Sequence, residues 1–404
     1  MVAGQYNGMD MPSRKPDPFP TGATAPSNDA TPPDARPPAG TPGEPALVTL
    51  DAIRAAAEVI RGVAVRTPLL PFGRTIQGDR FGRTRAWLKP ESLQPIGAFK
   101  LRGAYYNIAM LPPERRAAGV VAHSSGNHAQ GVARAARLLG VRAVIVMPSD
   151  APAVKVERVR ADGAEIVVVG PSSEERAQRA AELARSEGLS MVAPYDDAAT
   201  ITGQGTIGLE IVEQLAEIEG LDGRGIEPVT GTGAEPASGT LVEPGAFTVL
   251  VPVGGGGIAS GVATAVKSLR PDATVLGVEP ELAADARDSL AQGRIVTWPA
   301  EQVGRTIADG QRTTHIGQIP FAHLRRFLDG IVTVSEDEIA RAMVRASREA
   351  RLVLEPSGAT TLAAWLFHAG ELPATGRVAC VLSGGNVDPA RYEELLARGI
   401  AAGG

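Results

Sequence analysis

The sequence predicts an α/β fold in which parallel sheets are covered by helices on both faces. Three observations predict it. From about residue 47 short apolar runs alternate with longer amphipathic stretches, the pattern of strands joined by helical crossovers. Several runs are apolar at every position, as in strands buried on both sides. The composition is 44% hydrophobic with only 4% aromatic residues, a balance suited to a tightly packed core of Ala, Val, Leu and Gly. At 404 residues the chain has room for two or three such units.

In chain order, strands are expected at Gly119–Ala122, Ala143–Met147, Glu165–Val169, Met191–Ala193, Phe247–Val253, Thr274–Val278, Ile331–Val334 and Val378–Leu382. Helices are expected between them, among others at Glu174–Glu187, Gly203–Ile218, Gly257–Leu269 and Glu338–Ala350. The stretch Ser335-Glu336-Asp337-Glu338 has the S-x-x-E form of a capping box, which opens one of these helices. In folds of this class ligands bind beyond the carboxyl ends of the strands. The loops that follow strands are therefore where the chemistry is sought.

Two segments differ from the rest. Residues 1–45 hold 11 of the 32 prolines and almost no β-branched apolar residues. They cannot bury enough surface to offset their ordering entropy, so a disordered tail is expected. The tail lacks the apolar stretch of a signal peptide and the arginine-rich pattern of a transit peptide. Residues 222–246 share its character and are expected to be a surface insertion. The net charge of −5 argues against a nucleic-acid surface, which needs clustered Lys and Arg. No apolar run reaches the roughly 18 residues of a membrane span. The single cysteine, Cys380, precludes an internal disulfide and fits a reducing cytoplasm.

Four loops concentrate unusual residues. Gly254-Gly255-Gly256-Gly257 runs from an apolar strand into a helix. Glycines let a backbone close on a ligand, and helix-start amides bind phosphate. A flexible turn is the plainer explanation. A nicotinamide enzyme is a competing one: Gly254-x-Gly256-x-x-Ala259 also fits a dinucleotide fingerprint, and Glu279 ends the next strand where a ribose-binding acid would sit. The second loop, His123 to Gly131, brings hydroxyls, an amide and helix-start amides together, a natural site for a carboxylate or a ring hydroxyl. An N-cap would explain one of these side chains but not the cluster. The third is Ser383-Gly384-Gly385-Asn386. The fourth carries Lys100, set between Gly97-Ala98-Phe99 and Leu101-Arg102-Gly103-Ala104. Such neighbours desolvate the amine and favour its neutral, nucleophilic form. A phosphate cradle, an anion loop and this lysine together suggest a phosphorylated aldehyde held as a Schiff base, and pyridoxal phosphate fits all three.

The stretches LKPESLQPIGAFKLRGA, SSGNHAQGVA, MPSDAPAVKVERVRADGAEIV, ITGQGT, VPVGGGGIASG, GVEP, TIADG, EPSGA and SGGNVD follow one another along the chain. In that order they resemble the threonine/serine dehydratase and serine racemase family of pyridoxal-phosphate enzymes, which have the tryptophan-synthase-β-like fold. The resemblance runs from about residue 47 to 395. It implies two parallel-sheet α/β domains: a large cofactor-binding one of residues 46–117 and 196–402, and a small one of residues 118–195. It also implies a homodimer or homotetramer.

The same resemblance implies residue roles. Lys100 would bond the cofactor, Phe99 would pack on its ring, Asn127 would bond the ring hydroxyl, and Gly254, Gly255, Gly256 and Gly257 would cradle the phosphate. Ser383 would face the pyridine nitrogen. A serine, unlike an aspartate, does not keep that nitrogen protonated, and the weaker electron sink favours prompt loss of a β-hydroxyl over transamination. Ser124, Asn127, His128 and Arg176 would hold the substrate carboxylate, with a solvated helix charge the alternative for Arg176. Thr313 and Thr314 are expected to line the substrate pocket. The implied reaction is β-elimination from L-threonine or L-serine, with Lys100 removing the α-proton, to give 2-oxobutyrate or pyruvate plus ammonia. Dehydration of threo-3-hydroxyaspartate and serine racemisation are alternatives on the same fold. Ser125 stands where racemases place the acid or base of the cofactor's opposite face, or it only helps bind anions. Glu279, the Ala283 carbonyl and Asp285 resemble the racemases' Mg²⁺ or Ca²⁺ loop, with helix capping the alternative. Ile96 and Ala98 depart from the family's frequent Thr-Gly-Ser before Phe-Lys.

Overall fold

The structure, a computed structural model, describes residues 45–73, 85–124, 126–151, 153–221, 245–373 and 375–404. The expected tail (apart from its last residue), nearly all of the 222–246 insertion, and Ser125 lie outside the described residues. One sheet runs β1-β2-β10-β7-β8-β9, where β1 is Leu70–Phe72, β2 Arg85–Pro90, β7 Thr248–Pro252, β8 Thr274–Pro280, β9 Gly330–Val334 and β10 Arg377–Leu382. The other runs β5-β4-β3-β6, with β3 Val120–His123, β4 Ala143–Pro148, β5 Glu165–Val169 and β6 Ser190–Met191. Every strand foreseen from the sequence is present. The two that precede them, β1 and β2, were not foreseen, and β1 pairs antiparallel to β2 while the remaining pairings are parallel.

Side-chain alternation in the six-stranded sheet feeds two cores. Trp87, Val249, Val251, Ala379 and Val381 enter one, while Leu88, Leu250, Val278, Cys380 and Leu382 enter the other. Both faces are covered, which is why these strands are apolar at consecutive positions.

The helices that matter for the site are α1 Lys100–Ala109, α2 Asn127–Leu139, α3 Ala153–Ala161, α4 Ser173–Glu187, α5 Ala198–Leu221, α6 Gly257–Leu269, α7 Asp285–Gln292, α8 Glu336–Arg345 and α9 Pro356–Phe367. Helix α5 starts five residues before the expected Gly203, where Asp197 Oδ1 accepts the Thr200 amide at 2.8 Å. Its glycines mark close helix crossings instead of its start. A Cβ at Gly203 would lie 2.6 Å from the Arg102 carbonyl of α1, and one at Gly208 would lie 2.7 Å from the Val262 carbonyl of α6. Helix α1 is thereby drawn tightly onto α5. Helix α8 opens with the expected capping box: Glu338 Oε2 accepts the Ser335 amide at 2.8 Å and Ser335 Oγ accepts the Glu338 amide. After Arg345 the helix widens into a π-turn, Ala346–Ala350, that closes on Arg351 at φ 59°. No helix among the described residues is long and apolar enough to cross a membrane.

Candidate active site

A cavity of about 510 Å³ opens at the carboxyl ends of the strands, and the loops after β3, β7 and β10 meet there with the start of α1. Its lining includes Phe99, Lys100, Ser124, Asn127, His128, Arg176, Gly254 to Gly257, Thr313 and Ser383. The chain thus gathers all but one of the described residues assigned to cofactor, substrate or catalysis; the exception is Thr314, which does not line the cavity. Glu279, Ala283 and Asp285 also lie outside it.

Lys100 is the first residue of α1, directly after Phe99. Its Nζ donates to the Pro194 carbonyl at 2.7 Å and stands 5.0 Å from the centre of the Phe99 ring. Burial, with no carboxylate among the described residues paired to it, brings its pKa down to about 8. The lysine loop is fixed to the serine loop through backbone. The Phe99 amide donates to the Ser383 carbonyl at 3.1 Å, and the Gly385 amide donates to Gly97 at 2.9 Å. Ser383 Oγ donates to the Ser357 carbonyl at 3.2 Å.

The glycine loop ends β7 and opens α6. Gly256 has φ +91°, a left-handed conformation that suits glycine alone. Side chains at Gly255 or Gly257 would collide with Tyr195, which also lines the cavity. Beside Gly257 the carboxamide of Gln204 is buried with neither its oxygen nor its nitrogen bonded to any described group.

In the third wall, Ser124 Oγ accepts the Gly126 amide at 3.1 Å, and α2 begins at Asn127. His128 lines the cavity with its ring held in one tautomer. Its Nε2 lies 2.8 Å from the Val192 carbonyl, which can only accept, so Nε2 carries the proton and Nδ1 only a lone pair. Burial first, then the nearby Lys100, holds its pKa down to about 3. The ring stays neutral and offers no charge to a carboxylate; the backbone amide at the start of α2 remains as its means of contact. Arg176, on α4, faces the same cavity half-buried, with Nη1 donating to Pro171 at 2.9 Å.

Glu279 is fully buried and accepts the backbone amides of Ala286 and Arg287 at 3.0 and 2.8 Å. It caps the start of α7, so the dinucleotide reading has no ribose-binding acid at this position. Asp285 is buried with both oxygens unbonded to any described group. Burial pushes its pKa up to about 7, and burial followed by Asp285 raises that of Glu279 well above the carboxylate range.

Two partners of Asn127, the buried Glu355 in the cavity lining and the half-buried Asn386 behind it, had no role assigned from the sequence. Glu355 lies just before α9 and accepts from Asn127 Nδ2 at 2.7 Å. Asn386 donates to Asn127 Oδ1 at 2.9 Å. Both stood inside quoted motifs, EPSGA and SGGN, but the sequence has no signal that joins them to a residue more than 200 positions away.

The family of pyridoxal-phosphate dependent enzymes matches residues 60–384. The chain belongs to that family. It is 38% identical over 331 residues to the L-threo-3-hydroxyaspartate ammonia-lyase of Saccharomyces cerevisiae, across 82% of this chain and 91% of that one. Among solved structures it matches the threonine deaminase of T.th. with a TM-score of 0.72 at 42% identity, covering 84% of this chain and 99% of the other. It matches maize serine racemase with a TM-score of 0.74 at 34% identity, covering 88% and 98%. The cavity fits the family's cofactor on its own atoms: a glycine turn with no room for Cβ atoms at a helix start, an orphaned carboxamide beside it, and a lysine that burial keeps partly neutral.

Proposed function

We propose that this chain is a pyridoxal-phosphate ammonia-lyase that eliminates water from L-threonine or L-serine, the released enamine then taking water back on hydrolysis to give 2-oxobutyrate or pyruvate plus ammonia. The observation that carries the reading is Lys100, its amine titrating near pH 8, in one cavity with the glycine turn. When bound, the cofactor supplies an electron sink that acidifies the substrate's Cα–H. Lys100 Nζ takes that proton, since its neutral form is accessible near neutral pH. Gly254 to Gly257 and the start of α6 hold the phosphate. Ser383 presents an uncharged hydroxyl to the ring nitrogen, and Phe99 packs on the ring. Ser124, the amides opening α2, and Arg176 bind the substrate carboxylate. The names of the relatives support a β-hydroxy amino acid as substrate, because 3-hydroxyaspartate and threonine share that leaving group. Incubating the purified holoenzyme with L-Thr, L-Ser, D-Ser and threo-3-hydroxyaspartate, and measuring oxoacid, tests this. Release from L-Thr or L-Ser is expected; no oxoacid from any of the four would sink it.

The division into residues 46–117 with 196–402 and residues 118–195 is likewise a proposal. The two sheets support it, although α1 contributes Leu101, Ala104 and Ile108 to the core of the smaller sheet. A homodimer or homotetramer is proposed on the family resemblance, and a cytoplasmic location on the single cysteine, Cys380.

Asp285, Glu279 and the Ala283 carbonyl are proposed to hold Mg²⁺ or Ca²⁺. Among the described residues no three His, Cys, Asp or Glu side chains cluster for a metal, so backbone oxygen has to complete the set. The bare, buried oxygens of Asp285 support the reading. Millimolar Mg²⁺ or Ca²⁺ is expected to raise the melting temperature by roughly 2–8 °C, and Asp285→Asn to remove that response. An equal response in the variant would refute the site.

A further inference from the structure

The carboxamide of Asn386 is caught between two groups of fixed polarity. The Ile96 carbonyl can only accept, and takes a bond from Asn386 Nδ2 at 2.7 Å. The Arg158 guanidinium of α3 can only donate, and gives one to Asn386 Oδ1 at 2.7 Å. The second hydrogen on Asn386 Nδ2 goes to Asn127 Oδ1 at 2.9 Å. Asn127 Nδ2 therefore faces the other way, where it donates to Glu355 Oε1 at 2.7 Å. A flipped Asn127 amide would oppose N–H to N–H at Asn386 and would lose its donation to Glu355 Oε1. Two glycines leave room for this chain of bonds: a Cβ at Gly97 would overlap Asn386 Oδ1, and one at Gly384 would overlap Glu355 Oε1.

We propose that Asn386 is a positioning residue that fixes the polarity of the Asn127 amide, with Glu355 accepting at its other end, and so keeps its second N–H available to an oxygen of the bound cofactor. The inference rests on the pyridoxal-phosphate reading of the cavity. The orientation is set before any ligand arrives, because it originates at Ile96 and Arg158, which are not themselves reorientable acceptor–donor groups. Burial first, then Asp309, raises the Glu355 pKa to about 8. Near neutral pH its carboxyl is mostly protonated, and the hydrogen bond from Asn127 assigns that proton to Oε2.

Three readouts on the reconstituted protein test the proposal: the dissociation constant for pyridoxal phosphate, the absorption maximum of the bound cofactor, and the pH at which that maximum shifts. Asn386→Ala is expected to weaken cofactor binding about five- to tenfold, the net worth of roughly one hydrogen bond. Asn386→Asp keeps the size but turns an acceptor toward Asn127 Oδ1. It is expected to bind more weakly still and to move the pH of the spectral shift. A merely structural role predicts the reverse order, with the near-isosteric Asp close to wild type, and that order overturns the proposal. Should either variant fail to fold, Arg158→Ala removes the donor at the exposed end and is expected to weaken binding two- to threefold; an unchanged constant would count against the proposal. Failure of the underlying reading looks different, since wild-type protein would then show no cofactor fixed to Lys100 by borohydride.

Discussion

Replacing Lys100 with alanine is expected to lower oxoacid formation by about 10³-fold or more, in the upper part of the range for loss of a proton-transferring side chain. The same substitution is expected to abolish the covalent fixing of pyridoxal phosphate by borohydride. Both effects fall on one atom, because Nζ is the amine that would bond the cofactor and the base that would take the α-proton. The pH dependence separates this lysine from a solvated one. Burial lowers its pKa from 10.5 to about 8, so the charged form dominates below about pH 8 and the neutral nucleophile above it. Cofactor uptake by the apoprotein should therefore rise with pH and level off just above 8. A rate that kept climbing to pH 10 would mean an ordinary solvated lysine is reacting. His128 contributes no competing step in this window, as its pKa is held down to about 3.

The parts of this site that were legible in the sequence are the local ones. A glycine turn, a lysine among small residues and a serine-asparagine loop each fit within ten residues, and each declares its chemistry through residue type alone. The strand β2 was not legible, because Arg85 and Lys89 interrupt its apolar pattern. Lys89 is nonetheless completely buried, with its ammonium donating to Thr67 O, Glu210 and Gln214 at 2.6 to 2.8 Å. A buried charge is invisible to periodicity when its side-chain partners, here Glu210 and Gln214, lie over a hundred residues away. The same distance hid Glu355 and Asn386. The tautomer of His128 was hidden for a related reason: residue type suggests a ligand, but the direction of its ring depends on Val192, just after β6.

Removing Arg102 is expected to destabilise the protein by about 3–5 kcal/mol, the range for breaking a buried ion pair from one side. Arg102 is entirely buried two residues after Lys100, and its guanidinium is saturated. Nε and Nη2 donate to both oxygens of Glu91 at 2.8 and 2.9 Å, Nη1 and Nη2 donate to Glu210 at 2.7 and 3.0 Å, and further bonds reach Thr206 Oγ1 and the Val65 carbonyl. Burial alone would raise the Glu91 pKa, but Arg102 outweighs it and holds that carboxyl below its ordinary value. Glu91 thus contributes stability above about pH 4.5 that is lost as pH falls through its lower folded pKa. In Arg102→Met the sign reverses: burial raises the pKa of Glu91, which then costs stability as pH rises above about 4.5. Urea unfolding should accordingly show the largest gap between variant and wild type near pH 7 and a narrower one below pH 4.5. Adding Glu91→Gln to Arg102→Met should recover part of the loss, since no uncompensated carboxylate then remains beside Lys89. A loss under about 1 kcal/mol, or one independent of pH, would show that the network is not what holds the start of α1 against α5. If it is, Lys100 keeps its place because a wholly buried arginine two residues on cannot move without exposing two carboxylates.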